Sequence, residues 1–116
     1  MLPERDRVFI AQMVEGAEAA LEFSADHTRE SFASDRLVAF AVVRAIQLIG
    51  QAARGVSEPV RAASPEIPWR QMIGMRNVVV HDYADVDLAL VWKTVREDLP
   101  GLILRLNAIL EESGSS

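Results

Sequence analysis

The chain contains no cysteine among its 116 residues. Disulfide bonds, thiolate metal sites and cysteine nucleophiles are therefore excluded. It also lacks a run of about eighteen uninterrupted apolar residues, and its charged first residues, Met-Leu-Pro-Glu-Arg-Asp-Arg, lead straight into a helical pattern. Neither a signal peptide nor a membrane span is expected, so the sequence predicts a cytoplasmic protein with no membrane partner.

Positive charge is also in short supply. The 12 lysine and arginine residues stand against 17 aspartate and glutamate residues, which gives a net charge of −5 at pH 7. This balance argues against bulk electrostatic attraction to nucleic acid, so such a role requires a local basic patch. All the basic residues except Lys93 are arginine, which is suited to bidentate phosphate contacts, although GC-rich codon usage explains the bias more simply.

Hydrophobic periodicity predicts a chain built from helices. Half of the residues are hydrophobic, enough for one core with apolar surface left over for a partner. No second strand is found for Val78–Val80 to pair with, so that run is also predicted to be helical. Residues 1–116 are therefore expected to form a single all-α antiparallel bundle of four to five helices, with residues 112–116 disordered. The predicted helices cover about 3–24, 34–54 and 57–63, then start again near Pro68 and at Asp87.

The second predicted helix, which Ser34 is expected to cap and Gly55 to end, is apolar around almost its whole circumference. Such a helix is expected to be buried on more than one side. The exception is a polar stripe that falls within an arc of roughly 80° and consists of Arg44, Gln47, Gln51 and Arg54. The sequence leaves two interpretations open, an ordinary solvated face and one wall of a polar cleft.

The stretch from Arg76 to Tyr83 is the one that looks chemical. It holds a guanidinium, a carboxamide, an imidazole, a carboxylate and a phenol, interrupted by three valines. On a helix, Asn77 and His81 share a face. Arg76 and His81 are about 140° apart, so either the helix ends between them or a second chain completes the site.

These side chains suit metal-independent phosphodiester cleavage by the substrate's own 2′-hydroxyl. A histidine can move protons, and an arginine can stabilise charge that grows on a phosphoryl oxygen. Two proton transfers would be easiest in a homodimer that pairs two copies of His81. On spacing alone a structural interpretation is favoured, with Arg76 in a salt bridge and His81 capping a helix, because an arginine and a histidine separated by four residues form a weak pattern. The other histidine, His27, lacks ligand partners at suitable spacing and is predicted to be a loop residue.

The segment Pro65–Tyr83 resembles the signature of the HepT-like proteins, which belong to the HEPN (higher eukaryotes and prokaryotes nucleotide-binding) class. The resemblance extends over about residues 4–111 and includes the further landmarks Arg44, Ile49-Gly50, Val86-Asp87, Val91-Trp92 and Asp98-Leu99-Pro100. It implies an all-helical homodimer that acts as a toxin ribonuclease without a cofactor. It also implies a minimal nucleotidyltransferase antitoxin as partner and RNA as substrate.

The resemblance assigns roles to individual residues. The family's arginine–histidine pair falls on Arg76 and His81 as catalytic residues, with Asn77 as the polar residue after the arginine. Asp82 and Arg44 are expected to support the site or to bind phosphate. Tyr83 matches the tyrosine that the antitoxin modifies with AMP to silence the toxin. An anionic nucleotide there would block the cleft by its bulk and charge.

The sequence departs from the family pattern in two ways, and it also allows an alternative function. The second helix carries Gln47 and Gln51 where many relatives have glutamates, and Ala45 where many have asparagine, so its stripe is less acidic. The alternative function is a non-catalytic helical dimer that binds nucleotide or the nucleotidyltransferase and regulates it. In that case Tyr83 would be the functional residue, and Arg76 and His81 would be binding contacts.

Overall fold

The computed structural model describes residues 2–77 and 87–114, and for residues 113 and 114 the backbone alone. Within these ranges the chain is helical and has no strand, so the predicted all-α antiparallel bundle is confirmed. The α-helices are α1 (Glu4–Ser24), α2 (Arg29–Ser34), α3 (Arg36–Gly55), α4 (Glu58–Ala63), α5 (Trp69–Gly74), α6 (Leu88–Lys93) and α7 (Leu99–Gly114). A 3₁₀ turn (Met75–Asn77) follows α5, and a π-helical turn (Thr94–Asp98) joins α6 to α7.

The two long helices α1 and α3 pack against each other in antiparallel directions. Gly16, in the middle of α1, lies against Ala45 and Ile49 of α3, while Phe9 near the start of α1 lies against Gly55 at the end of α3. A Cβ on Gly16 would come within 3.1 Å of the Ala45 carbonyl oxygen, so the glycine lets the two helices approach closely. This contact forms the centre of the core.

Gly55 departs from its predicted role as a glycine just past the end of the second helix. It is the last residue of α3 and does not have a positive φ. A Cβ at this position would lie 2.6 Å from the Phe9 ring. The aromatic ring, rather than a left-handed backbone, therefore explains why glycine fits here.

The polar stretch before α3 contains a short helix that the sequence pattern does not reveal. Thr28 and Ser31 form a reciprocal capping box at the start of α2, and the Ser31 amide donates to Thr28 Oγ1 at 3.1 Å. The N-cap of α3 is Asp35, whose carboxylate accepts from the Val38 amide at 3.1 Å. The prediction of Ser34 as that cap was wrong by one residue, because Ser34 ends α2 instead.

The start of α4 depends on a side chain from α1. Ser57 is the N-cap of α4 but its own hydroxyl makes no capping bond. Asp6 is buried, and its carboxylate accepts from the Ser57 amide at 2.6 Å and from the Ser57 hydroxyl at 2.9 Å. A carboxylate at a helix N-terminus satisfies an otherwise unpaired amide and complements the helix dipole. The first turn of α1 therefore fixes the connection that follows α3.

The C-terminal helices form one nearly continuous rod packed on α1. Asp87 caps α6 as predicted, since its carboxylate accepts from the Leu90 amide at 3.0 Å. Pro100 has no amide hydrogen to donate to a helical hydrogen bond, and the π turn ends two residues before it. The side chains that these helices bury in the core include Val95, Leu99, Leu102 and Leu106. Residues 112–114, predicted to be disordered, continue α7.

Helix α3 is long and apolar enough to cross a membrane by length and composition alone. Its mean hydropathy reaches 1.4 over an eighteen-residue window, but half of that window is buried inside the protein. A core helix has the same properties, so this observation is weak evidence for a membrane span.

Candidate functional site

Arg76 sits in the 3₁₀ turn that follows α5, and two methionines anchor this turn. Met72 and Met75 are buried in the core, while Arg76 is half-buried and Asn77 is exposed. The side chains of Arg76 and Asn77 therefore project from a turn whose base is fixed. This arrangement suits a site that presents polar groups from rigid backbone.

The turn lies directly against the backbone of α3 at Gly50. A Cβ on Gly50 would lie 2.2 Å from the Arg76 backbone nitrogen and 2.9 Å from both the Arg76 Cα and the Met72 carbonyl oxygen. No side chain fits into that space, so the absence of one at Gly50 decides how closely Arg76 approaches α3. Gly50 is thus a positioning residue that the sequence marks only as part of a resemblance.

One hydrogen-bond donor of the Arg76 guanidinium is left without a partner by the described residues. Its Nε atom is buried and has no hydrogen-bond partner among residues 2–77 and 87–114. Buried donors are almost always paired in folded proteins, and a guanidinium donates well to phosphate oxygens. This donor is therefore available to an anion or to a group outside the described residues.

The polar stripe of α3 lies beside this turn. On an ideal helix Arg54 is about 40° and Gln47 about 60° from Gly50. Arg44, Gln51 and Arg54 are exposed, and Arg44 Nη1 donates to Gln47 Oε1 at 3.4 Å. The stripe is solvated in one chain, yet it borders Arg76 on one side and a groove on the other.

The predicted supporting residue Arg44 faces the groove rather than Arg76. It is about 120° around α3 from Gly50, so the two arginines occupy different sides of the stripe. The groove runs between α1 and α3, has a volume of about 540 Å³, and is lined mainly by apolar side chains, among them Phe9, Phe23, Ala41 and Leu48. Within one chain the structure does not bring Arg44 and Arg76 together.

Helix α3 is buried on more than one side, as predicted, because it packs against α1, α5 and the 3₁₀ turn, but it also leaves apolar side chains exposed. Leu37 is 80% exposed and Leu48 is 41% exposed, and Phe23 of α1, which lines the groove together with Leu48, is 46% exposed. Leu37 and Leu48 lie about 20° apart on α3, so they form part of one surface. This apolar surface is exposed in a single chain. The sequence feature that indicated it was the high apolar content of the second helix around its whole circumference.

Three of the predicted site residues lie in the remaining part of the motif. His81, Asp82 and Tyr83 fall within residues 78–86, outside the described residues. Their predicted roles are carried by the sequence alone. Among residues 2–77 and 87–114, no three histidine, aspartate or glutamate side chains are grouped so that they could hold a metal ion.

His27 has a local role that agrees with its prediction as a non-catalytic residue. Its Nδ1 atom lies 3.1 Å from Ser31 Oγ, and its Nε2 atom lies 4.0 Å from the Asp35 carboxylate. Ser31 belongs to the capping box of α2 and Asp35 caps α3. His27 therefore links two helix caps, which is a structural function.

Comparison with known proteins was consistent across most of the chain. Residues 13–109 match the model of the family described as Ribonuclease HepT-like. The chain is 35% identical to "Putative RNase MJ1380" of Methanocaldococcus jannaschii, over 85% of this chain and 92% of that protein. It is 38% identical to "Probable ribonuclease HepT" of Thermococcus cleftensis, over 81% of this chain and 86% of that protein. No solved structure gave a significant match.

The contact between Gly50 and Arg76 predicts a specific effect on stability. We expect Gly50→Ala to lower the free energy of unfolding by about 1–3 kcal/mol, because the added methyl group must displace the turn. Urea denaturation at matched protein concentration measures this change.

Gly74→Ala is the matched control. Nothing lies within 4 Å of a Cβ at Gly74, and its φ is not positive. The added methyl should raise the free energy of unfolding by up to about 1 kcal/mol, since alanine favours helix. A Gly50→Ala protein as stable as the Gly74→Ala protein would contradict the close approach.

Proposed function

The chain belongs to the HepT-like ribonuclease family, and we propose that it is an endoribonuclease whose catalytic residues are Arg76 and His81. The observation that carries the proposal is the contact between Gly50 and the backbone of Arg76. This contact fixes an arginine beside an exposed polar stripe, and the buried Nε of that arginine has no partner among residues 2–77 and 87–114. A fixed cationic donor is what stabilisation of a phosphoryl transition state requires.

The proposed reaction needs no metal ion. His81, as base, takes the proton of a ribose 2′-hydroxyl, and the 2′-oxygen forms a bond to the adjacent phosphorus. Arg76 stabilises the charge on the pentavalent phosphorane, while Asn77 binds a phosphate oxygen or orients His81. The bond from phosphorus to the 5′-oxygen then breaks, and an acid protonates that oxygen. The products are a 2′,3′-cyclic phosphate and a 5′-hydroxyl.

A homodimer would supply both the base and the acid. Each chain has one histidine in the motif, and the reaction needs two proton transfers. The exposed apolar surface of Leu37, Leu48 and Phe23 supports self-association, because monomers rarely leave large contiguous apolar surface uncovered. Around the circumference of α3, the polar stripe lies between Gly50 and the two leucines. Pairing of two chains through the leucines would therefore bring their two stripes together. Arg44 and Asp82 would then bind phosphate along a shared cleft.

The cellular role in this proposal is that of a toxin in a toxin–antitoxin pair. The partner is a minimal nucleotidyltransferase, which transfers AMP to the hydroxyl of Tyr83 and releases pyrophosphate. Tyr83 follows His81 by two positions, so the motif itself supports the proposal. The added nucleotide would exclude RNA from the cleft by its volume and negative charge.

The catalytic proposal predicts cleavage of RNA in EDTA by the unmodified protein. We expect Arg76→Ala and His81→Ala each to lower the rate by on the order of a hundredfold or more, since each removes a group needed in the transition state. Circular dichroism should show unchanged helicity. Arg70→Ala, which removes an exposed arginine of α5, is the control and should cleave like wild type.

Other outcomes identify the competing explanations. Equal cleavage by wild type and His81→Ala would reveal a contaminating nuclease. Loss of helicity in Arg76→Ala or His81→Ala would indicate that these residues are structural. No cleavage by wild type, with Tyr83 shown by mass to be unmodified, would favour the non-catalytic regulatory module.

The dimer proposal predicts that a charge on the apolar surface weakens association. Leu48→Glu should raise the dimer dissociation constant by roughly tenfold or more, because it places an unpaired charge in a desolvated interface. Sedimentation velocity over a concentration series measures this constant. Leu104→Glu changes another exposed leucine, on α7, and should leave the constant unchanged. A monomeric wild-type protein would contradict the proposal.

The modification proposal predicts a defined change in mass. Incubation with a minimal nucleotidyltransferase and ATP should add one adenylyl group and abolish RNA cleavage. Tyr83→Phe should gain no mass and should keep its activity. Modification of Tyr83→Phe to the same extent as wild type would show that another residue accepts the nucleotide.

A further inference from the structure

A second groove, separate from the polar stripe, concentrates positive charge in this acidic protein. It has a volume of about 610 Å³ and lies between the start of α2 and the side of α6 and the π turn. Three cations line it, Arg29, Lys93 and Arg96, against two carboxylates, Asp87 and Glu97. The groove is therefore net positive while the whole chain has a net charge of −5. It is the kind of local basic patch that nucleic-acid binding requires in an acidic protein.

Within the described residues, two of the three cations in this groove form no ion pair, and one of its two carboxylates caps a helix. Arg29 and Lys93 are exposed and form no ion pair within the described ranges 2–77 and 87–114. The Asp87 carboxylate is engaged, since it accepts from the Leu90 amide and caps α6. Glu97 is thus the one lining carboxylate without a capping role. Two side chains with free positive charge are available to bind phosphates.

The floor of the groove offers a flat, fixed surface. The Arg96 guanidinium lies over the Trp92 ring, 4.5 Å from its centroid, and donates to the carbonyl oxygen of Ser24 at the end of α1. Trp92 in turn packs against Phe32 of α2, with ring centroids 5.3 Å apart. These contacts join three helices and hold the guanidinium plane in place. Nucleobases stack on aromatic rings and on arginine planes with little dependence on sequence.

We propose that this groove binds single-stranded RNA that flanks the cleaved bond. Arg29 and Lys93 bind successive phosphates. A base stacks on the outer face of the Arg96 guanidinium, whose inner face lies over the Trp92 ring. Asp87 lines the groove, and in the sequence it directly follows the segment that contains His81 and Tyr83. This inference rests on the proposed ribonuclease function, because it assigns a second binding site to the substrate of that reaction.

The test measures binding separately from cleavage. The probe is a short fluorescent single-stranded RNA with methylated 2′-hydroxyls, which prevent cleavage, and fluorescence anisotropy gives the dissociation constant over a salt series. Arg29→Glu and Lys93→Glu should each raise this constant by on the order of tenfold. Each should also reduce the slope of log affinity against log salt by about 0.7, the value for one lost contact to a single strand. Arg105→Glu reverses an exposed arginine on α7, outside the groove, and should bind like wild type.

The outcomes separate this proposal from the ribonuclease proposal. If wild type binds the probe and the groove variants bind it weakly, the groove is supported, whether or not unmethylated RNA is cleaved. If wild type binds and the groove variants bind equally well, the groove proposal is wrong and the ribonuclease proposal stands on its own cleavage test. If Arg105→Glu weakens binding as much as the groove variants, general charge rather than this groove explains the binding and overturns the proposal. Cleavage of RNA by wild type that does not bind the probe would also overturn it.

Discussion

The structure around the motif depends on the missing side chain at Gly50. Without a Cβ there, the backbone of Arg76 lies against α3, and the carbonyl of Met72 shares the same space. Any larger residue would push the 3₁₀ turn away from the helix that carries the polar stripe. A contact between two backbones therefore fixes the position of Arg76 relative to the polar stripe of α3. Such a contact is insensitive to rotamer changes, which suits a site that must stabilise charge without reorganisation.

Helices whose signals are local could be predicted from the sequence. The sequence predicts helices that start at about residue 57 and at Asp87, and α4 and α6 begin directly after Ser57 and Asp87. The errors concern features that depend on distant residues. Gly55 suggested a left-handed helix end, but the structure uses it to make room for Phe9 from α1. Propensity and spacing describe neighbours along the chain, whereas this contact joins two helices.

The candidate site divides in the same way. Residue types and spacing singled out Arg76 and Asn77 as chemical, and the family resemblance supplied their roles. The sequence also showed that Arg44 lies on a polar stripe. It did not show that, within one chain, Arg44 and Arg76 lie on different sides of that stripe. That relation depends on which side of α3 receives the turn after α5, and the packing at Gly50 decides it. The basic groove around Lys93 could not be predicted from the sequence, because Arg29 and Lys93 are far apart along the chain. The net charge of the whole chain does not reveal such a local cluster.

The bond between Asp6 and Ser57 spans 51 residues and has a consequence for the order of assembly. The six-residue α4 has no side-chain cap of its own and too few turns to persist alone. It can settle only after α3 has turned back along α1 and brought Ser57 to the buried carboxylate. The chain that leads from α4 to Arg76 is thus anchored, through one carboxylate, to the beginning of the protein. The α1–α3 pair must therefore be in place before the turn that carries Arg76 acquires its final position.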